Sequence, residues 1–341
     1  MKKSCFTILM TIISFVLIAQ IDIQKVEVDN FKSSMRGLYA VNDTVVWASG
    51  SGGVFMKTTN GHDWVADTVP GCGKLDFRDI HAFDDQIAVV MSSGDGCLMY
   101  RTEDGGESWK KVYENIDQGI FFDGMDFWDK KCGIAYSDPI DGELFIIQTK
   151  DGGNTWNRLH PIEIPSVLKG EAGFAASGTG LVCKGDSTVW IATGGGEKAR
   201  VFKSTDRGKS WKAYNTPMRS GEGNGIYSMS FIDEQNGIIV GGNYLDSTNT
   251  KGNCALTSDG GETWRLIPSN GPRGYRSCVC YSDNNQFIFS TGRTGIDVSS
   301  DKGYYWMPLS NNGYYSCTVK GRTGWLTGRK GKLGKITIKQ N

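Results

Sequence analysis

The chain has 341 residues, of which 46 are glycine, only 8 are proline and 39% are apolar. Lys+Arg and Asp+Glu each number 37, so the net charge is near zero and the basic excess of a nucleic-acid-binding chain is absent. Abundant glycine without sustained helical periodicity beyond the N-terminus excludes a helical bundle and points to short strands joined by tight turns, an all-β chain.

Lys2 and Lys3 form a basic start, and Cys5 to Ala19 is almost wholly apolar. That run is shorter than the roughly 20 residues a membrane helix needs. It reads as a secretory signal cleaved near Ala19 or Gln20. The expected layout is a signal segment over 1–20 and one domain over 21–341. The mature protein is expected to be exported, periplasmic or extracellular, with no stable membrane span. Without Cys5, eight cysteines remain: Cys72, Cys97, Cys132, Cys183, Cys254, Cys278, Cys280 and Cys317. An even number in an exported chain allows disulfides. Cys72 with Cys97, or Cys278 with Cys317, are candidate pairs, and eight free buried thiols are the alternative.

From residue 58 onward one pattern recurs. Thr102-Glu-Asp-Gly-Gly-Glu-Ser-Trp109, Thr149-Lys-Asp-Gly-Gly-Asn-Thr-Trp156, Ser204-Thr-Asp-Arg-Gly-Lys-Ser-Trp211, Thr257-Ser-Asp-Gly-Gly-Glu-Thr-Trp264 and Ser299-Ser-Asp-Lys-Gly-Tyr-Tyr-Trp306 share Ser/Thr-x-Asp-x-Gly-x-x-Trp. A shorter copy is Thr58-Thr-Asn-Gly-His-Asp-Trp64. Short polar side chains that bond nearby backbone N–H groups, a glycine free to take positive φ and an apolar ring opening the next strand describe a hairpin. Asn60, Asp104, Asp151, Asp206, Asp259 and Asp301 are therefore read as structural, as are Trp64, Trp109, Trp156, Trp211, Trp264 and Trp306. No active site needs five equivalent carboxylates.

The tryptophans are separated by 45, 47, 55, 53 and 42 residues, the length of a four-stranded propeller blade. Blades are expected over 35–69, 77–113, 121–159, 174–214, 226–267 and 275–309. A seventh begins at Tyr314, contains Gly324-Trp-Leu-Thr-Gly328 and has three strands. Ile21-Asp-Ile-Gln-Lys-Val-Glu-Val28 alternates apolar and polar residues and precedes the first complete blade. Pairing it with Lys335–Ile338 supplies the missing strand and removes an exposed sheet edge. The predicted fold is thus an all-β seven-bladed β-propeller closed by its N-terminal strand, with six blades and a loose tail as the alternative.

The repeated motif resembles the Asp box, or bacterial neuraminidase repeat, of sialidases, some xyloglucan-cleaving glycosidases, sortilin-type receptors and the photosystem II stability/assembly factor-like family. Blade spacing and the Gly-Trp-x-x-Gly strand are most similar to the last group. The resemblance implies a propeller whose boxes lie away from the working face, and a basic patch on that face that docks protein. Sialidases carry an Arg-Ile-Pro motif near the start of the ring. Here the nearest early arginine is Arg36, in Ser34-Met-Arg-Gly-Leu38, which argues against sialidase hydrolysis.

The strand that starts each blade lines a propeller's channel. Aligning those strands places Arg36, Arg78, Asp123, Tyr227, Arg276 and Tyr315 at matching positions. In blade 4 an insertion, Gly170-Glu-Ala-Gly-Phe-Ala-Ala-Ser-Gly-Thr-Gly180, precedes the strand. The turns on the same face add Asp95, Asp138, Asp141, Glu197, Arg293 and Arg329. Arg36, Arg78, Arg276, Arg293, Arg329, Tyr227 and Tyr315 are the candidate binding residues for a carboxylate-bearing protein or glycan. The alternative reading is a glycoside hydrolase using Asp123, Asp138 or Glu171. His62, His81 and His160 are scattered, so no metal site or catalytic triad is expected. No cofactor and no nucleic-acid partner are expected, and the protein is read as a monomer.

Overall fold

The computed structural model describes residues 21–28, 32–94 and 97–339. The signal segment over 1–20 and Asp95 lie outside the described residues. Seven four-stranded antiparallel sheets make up the structure. Six are built from consecutive strands: 35–68, 76–115, 122–158, 181–215, 224–266 and 278–310. The seventh takes three strands from 316–338 and its outer strand from Ile21–Val26. The register runs from Ile21 opposite Ile338 to Val26 opposite Leu333. The first strand of each blade touches the first strand of the blades on either side, and these seven strands form a closed inner ring.

Seven apolar clusters fill the seams, one between each pair of neighbouring blades. The second strands are largely buried, and wholly so in Val46–Gly50 and Thr188–Ala192. Sheets covered on both faces explain why the strands read as apolar runs rather than alternating ones.

The recurring hairpin joins the third and fourth strands of blades 1 to 6. In the blade 5 copy the Thr257 hydroxyl bonds Asp259 Oδ1 at 2.7 Å and accepts Gly261 N–H at 2.9 Å. Asp259 Oδ1 accepts Thr263 N–H at 2.9 Å, and its other oxygen accepts the Thr263 hydroxyl. Gly261 has φ +86°, a left-handed conformation a side chain would strain. In the blade 2 copy the Ser108 hydroxyl, followed by the Ser108 and Thr102 donors, holds the Asp104 carboxyl down at about 2. These carboxylates are spent on local turns. Each box tryptophan packs in the seam with the preceding blade: Trp109 between blades 1 and 2, Trp156 between 2 and 3, Trp211 between 3 and 4. Trp264, Trp306 and Trp64 do the same for three further seams. Blade 7 has no box, so the seam between blades 6 and 7 has no such tryptophan.

A second device recurs in four blades. The turn between first and second strands uses one Asx oxygen to accept two successive N–H groups. Asn42 accepts Thr44 and Val45, Asp84 accepts Gln86 and Ile87, Asp129 accepts Lys131 and Cys132, and Asp233 accepts Gln235 and Asn236, all at 2.6–2.9 Å. Its signal in the sequence is an Asx four residues ahead of the second strand in blades 1, 2, 3 and 5, at a spacing to the boxes that varies.

Two expectations are corrected. Blade 4 begins at Leu181, not Phe174, because Phe174–Gly180 leaves the sheet. Cys72 and Cys97 lie in different seams, and all eight cysteines are free thiols.

Candidate functional site

Four inner strands carry the same irregularity. The register slips between Met35 and Gly37, Phe77 and Asp79, Phe122 and Gly124, and Ile226 and Ser228. The extra residues are Arg36, Arg78, Asp123 and Tyr227, four of the six positions aligned from sequence. A bulge leaves its residue outside the ladder and re-aims the side chain. Local twist thus turns these residues off the blade faces at one end of the ring.

Arg36 is half-buried and its guanidinium lies 4.4 Å above the Tyr315 ring. It makes no hydrogen bond or ion pair to a described residue, so its donors are unspent. Burial, and then the charge of Arg78, lowers its basicity. Arg78 donates Nε to Asp76 at 2.8 Å and Nη1 to the Ala175 carbonyl at 3.4 Å, and it sits over Phe121. The structure therefore brings Arg36, Arg78 and Tyr315 together across blades 1, 2 and 7. Arg293 is exposed and donates to the Tyr244 carbonyl at 3.1 Å. Arg329 is exposed on a 3₁₀ turn, Arg329–Gly331, and Asp141 and Glu197 are exposed in their turns.

Arg276 is placed differently from the other arginines. It is 0% exposed. Nε and Nη2 bind Asp297, and Nη1 binds the Tyr275 carbonyl and the Thr294 hydroxyl. All its donors face the protein, so it is a buried structural ion pair rather than a rim contact.

The blade 4 insertion closes the channel. Phe174 stacks on Tyr227 at 4.0 Å, and Tyr227 meets Tyr275 edge-on at 4.7 Å, with Ala176 completing the cluster. Ser177 donates to the Ser277 carbonyl at 2.8 Å, and the Thr179 hydroxyl lies 2.6 Å from that of Ser228. On the other side, a Cβ at Gly178 would fall 2.1 Å from Asp79 Oδ1. The segment touches inner strands of blades 2, 5 and 6 at once, so it crosses the ring axis as a plug. Tyr227 is consumed in seating it.

Glu171 anchors the stem of this plug. It is 5% exposed and accepts Thr193 Oγ1 at 2.5 Å, Arg200 Nε at 2.9 Å and Leu168 N–H at 2.7 Å, with Arg200 Nη2 on its second oxygen. A carboxylate so fully committed is structural.

Asp123, 1% exposed, lies against Asp138, while neither of its oxygens meets full hydrogen-bond geometry with a described donor. Asp138 itself accepts Gly173 N–H at 2.9 Å. Burial, then Asp138, pushes the Asp123 carboxyl well up, and burial raises Asp138. Both acids, at the foot of the plug, are thereby shifted toward their protonated forms. Glycoside hydrolysis needs carboxyl groups about 5–10 Å apart with sugar or water between them. Asp123, 1% exposed and with Oδ2 only 2.3 Å from where a Cβ at Gly173 would sit, leaves no room for a sugar beside it.

Fold and site together define a seven-bladed propeller with a plugged channel and an arginine–tyrosine cluster on one face. No protein-family model matches the sequence, and no curated protein matches it in sequence either. Solved structures do share its fold. YCF48 bound to D1 peptide aligns with TM-score 0.65 and 15% identity over 94% of this chain and 96% of that one. YCF48 from Cyanidioschyzon merolae gives 0.67 and 15%, over 92% and 98%. Virginiamycin B lyase from Staphylococcus aureus gives 0.64 and 13%, over 93% and 99%. At these identities the likeness is one of fold.

Proposed function

We propose that this protein is an exported propeller scaffold that binds an acidic segment of another protein at the Arg36–Arg78–Tyr315 cluster. The observation that carries the reading is the free guanidinium of Arg36, held half-buried on a bulge beside a second arginine. A planar fork with unspent donors over a tyrosine face suits a carboxylate. The plug restricts the ligand to the face, because the axis is filled. The solved complex of YCF48 with a peptide supports protein rather than glycan as the ligand, and the apolar run ahead of residue 21 supports export.

The test uses fluorescein-labelled peptides ending in Asp/Glu-rich sequences with a free C-terminus, alongside amidated and lysine-rich controls. Acidic peptides are expected to bind, and more weakly as salt rises. A charge-assisted bond is worth about 1.5–3 kcal/mol, so Arg36→Ala should weaken binding by about tenfold or more. Equal binding by Arg36→Ala and Arg78→Ala, with both variants folded, would refute the assignment. Preferential binding of sialosides or uronides would replace protein by glycan, and turnover of aryl glycosides would revive the hydrolase.

A further inference from the structure

The seam between blades 6 and 7, which lacks a box tryptophan, gathers thiols instead. Cys278 and Cys280 come from the inner strand Cys278–Tyr281, and Cys317 from the inner strand Ser316–Lys320. Residues two apart on a strand face the same side, so both blade 6 thiols point toward blade 7. Cys280 Sγ lies 3.5 Å from Cys317 Sγ, and Cys278 Sγ lies 3.4 Å from the Cys317 carbonyl oxygen. Cys278 and Cys317 are buried and Cys280 is half-buried. We infer that Cys280 and Cys317 are a redox-active dithiol that closes across this seam when it meets a small-molecule or protein disulfide. This pairing differs from the Cys278–Cys317 pair suggested by sequence: the 3.5 Å sulfur–sulfur approach is that of Cys280, while the Cys278 thiol lies 3.4 Å from the Cys317 carbonyl oxygen. Reaching a bond of about 2.05 Å from 3.5 Å asks for about 1.5 Å of side-chain movement.

The step balances with glutathione disulfide as oxidant. Cys280, the half-buried thiol, attacks one sulfur as its thiolate, one glutathione leaves and a mixed disulfide forms. Cys317 then attacks the Cys280 sulfur and expels the second glutathione. Two protons leave the thiols, and two electrons reduce glutathione disulfide to two thiols. Cys278 supplies the proton acceptor for the second attack. The bond from Cys317 pulls its thiol down to about 7 against the opposing effect of burial, with help from the Thr179 and Ser177 hydroxyls. Cys317 is held well above the usual thiol range by the same contacts with Cys278 and Cys280. Thr179 and Ser177 belong to the plug, so the hydroxyls that seat the plug also tune the thiol that assists closure.

The test incubates the full folded chain with glutathione disulfide, then denatures it, alkylates the remaining thiols and counts them by intact mass. Two thiols per chain should be lost, and a peptide linking the two strands should appear. Fragment ions that break the chain between Cys278 and Cys280 assign the bridge in wild type, so the result does not depend on variants folding. Cys280→Ser should abolish the link and Cys278→Ser should retain it, with the pH at which closure is half-maximal moved upward. No loss of thiols, a bridge through Cys278, or a link only between chains would overturn the assignment. An unchanged pH profile in Cys278→Ser would overturn the role of Cys278.

Discussion

Replacing Glu171 by Gln tests whether this carboxylate holds the fold or does chemistry. The substitution keeps the shape of the side chain and removes its charge. It leaves Arg200, 8% exposed, without its counter-ion, and it places an amide donor toward Arg200 or toward the Leu168 N–H. Breaking a buried ion pair from one side costs about 3–5 kcal/mol, because the other charge stays buried and unpaired. Unfolding entropy near 2.1 cal/mol/K per residue gives about 0.7 kcal/mol per degree for a chain of this length, so the midpoint should fall by about 4–7 °C. Differential scanning calorimetry measures it. The double variant Glu171→Met/Arg200→Met should lose less than Glu171→Gln, since no charge is stranded. A melting midpoint equal to wild type in Glu171→Gln would refute the structural assignment and reopen a catalytic one.

Two further outcomes are expected. The Asp123 carboxyl is raised in the folded protein, so between about pH 3.9, the unfolded value, and its higher native value, the unfolded chain holds fewer protons than the native one. Stability therefore falls as pH rises through that window. Asp123→Asn removes the ionisable group, so in urea titrations the variant should gain on wild type at pH 8 relative to pH 4. An equal difference at both pH values would refute the raised Asp123 carboxyl. Deleting residues 21–28 should destabilise the ring and expose the edge of Leu333–Ile338 to aggregation. Light scattering and thermal unfolding unchanged from wild type would refute closure by this strand.

The blade count, the closing strand and the structural nature of the box carboxylates were legible in the sequence. Each depends on chemistry within eight residues or on a repeat length. The aligned inner-strand positions were legible for the same reason, and four of the six proved to be bulge residues. What each side chain does there was not. Arg36 and Arg276 look alike in sequence, yet Asp297 buries one while the other keeps free donors. Phe174 reads as the start of a strand, because an apolar run entering a sheet and one filling a channel are the same run. Glu171 is committed to Arg200 and Asp123 is set against Asp138 only after whole strands have been brought together. Repeats and turns are written in near neighbours along the chain. Charge pairing, burial and thiol contact are set by distances across the ring, and those exist only once its seven blades have closed.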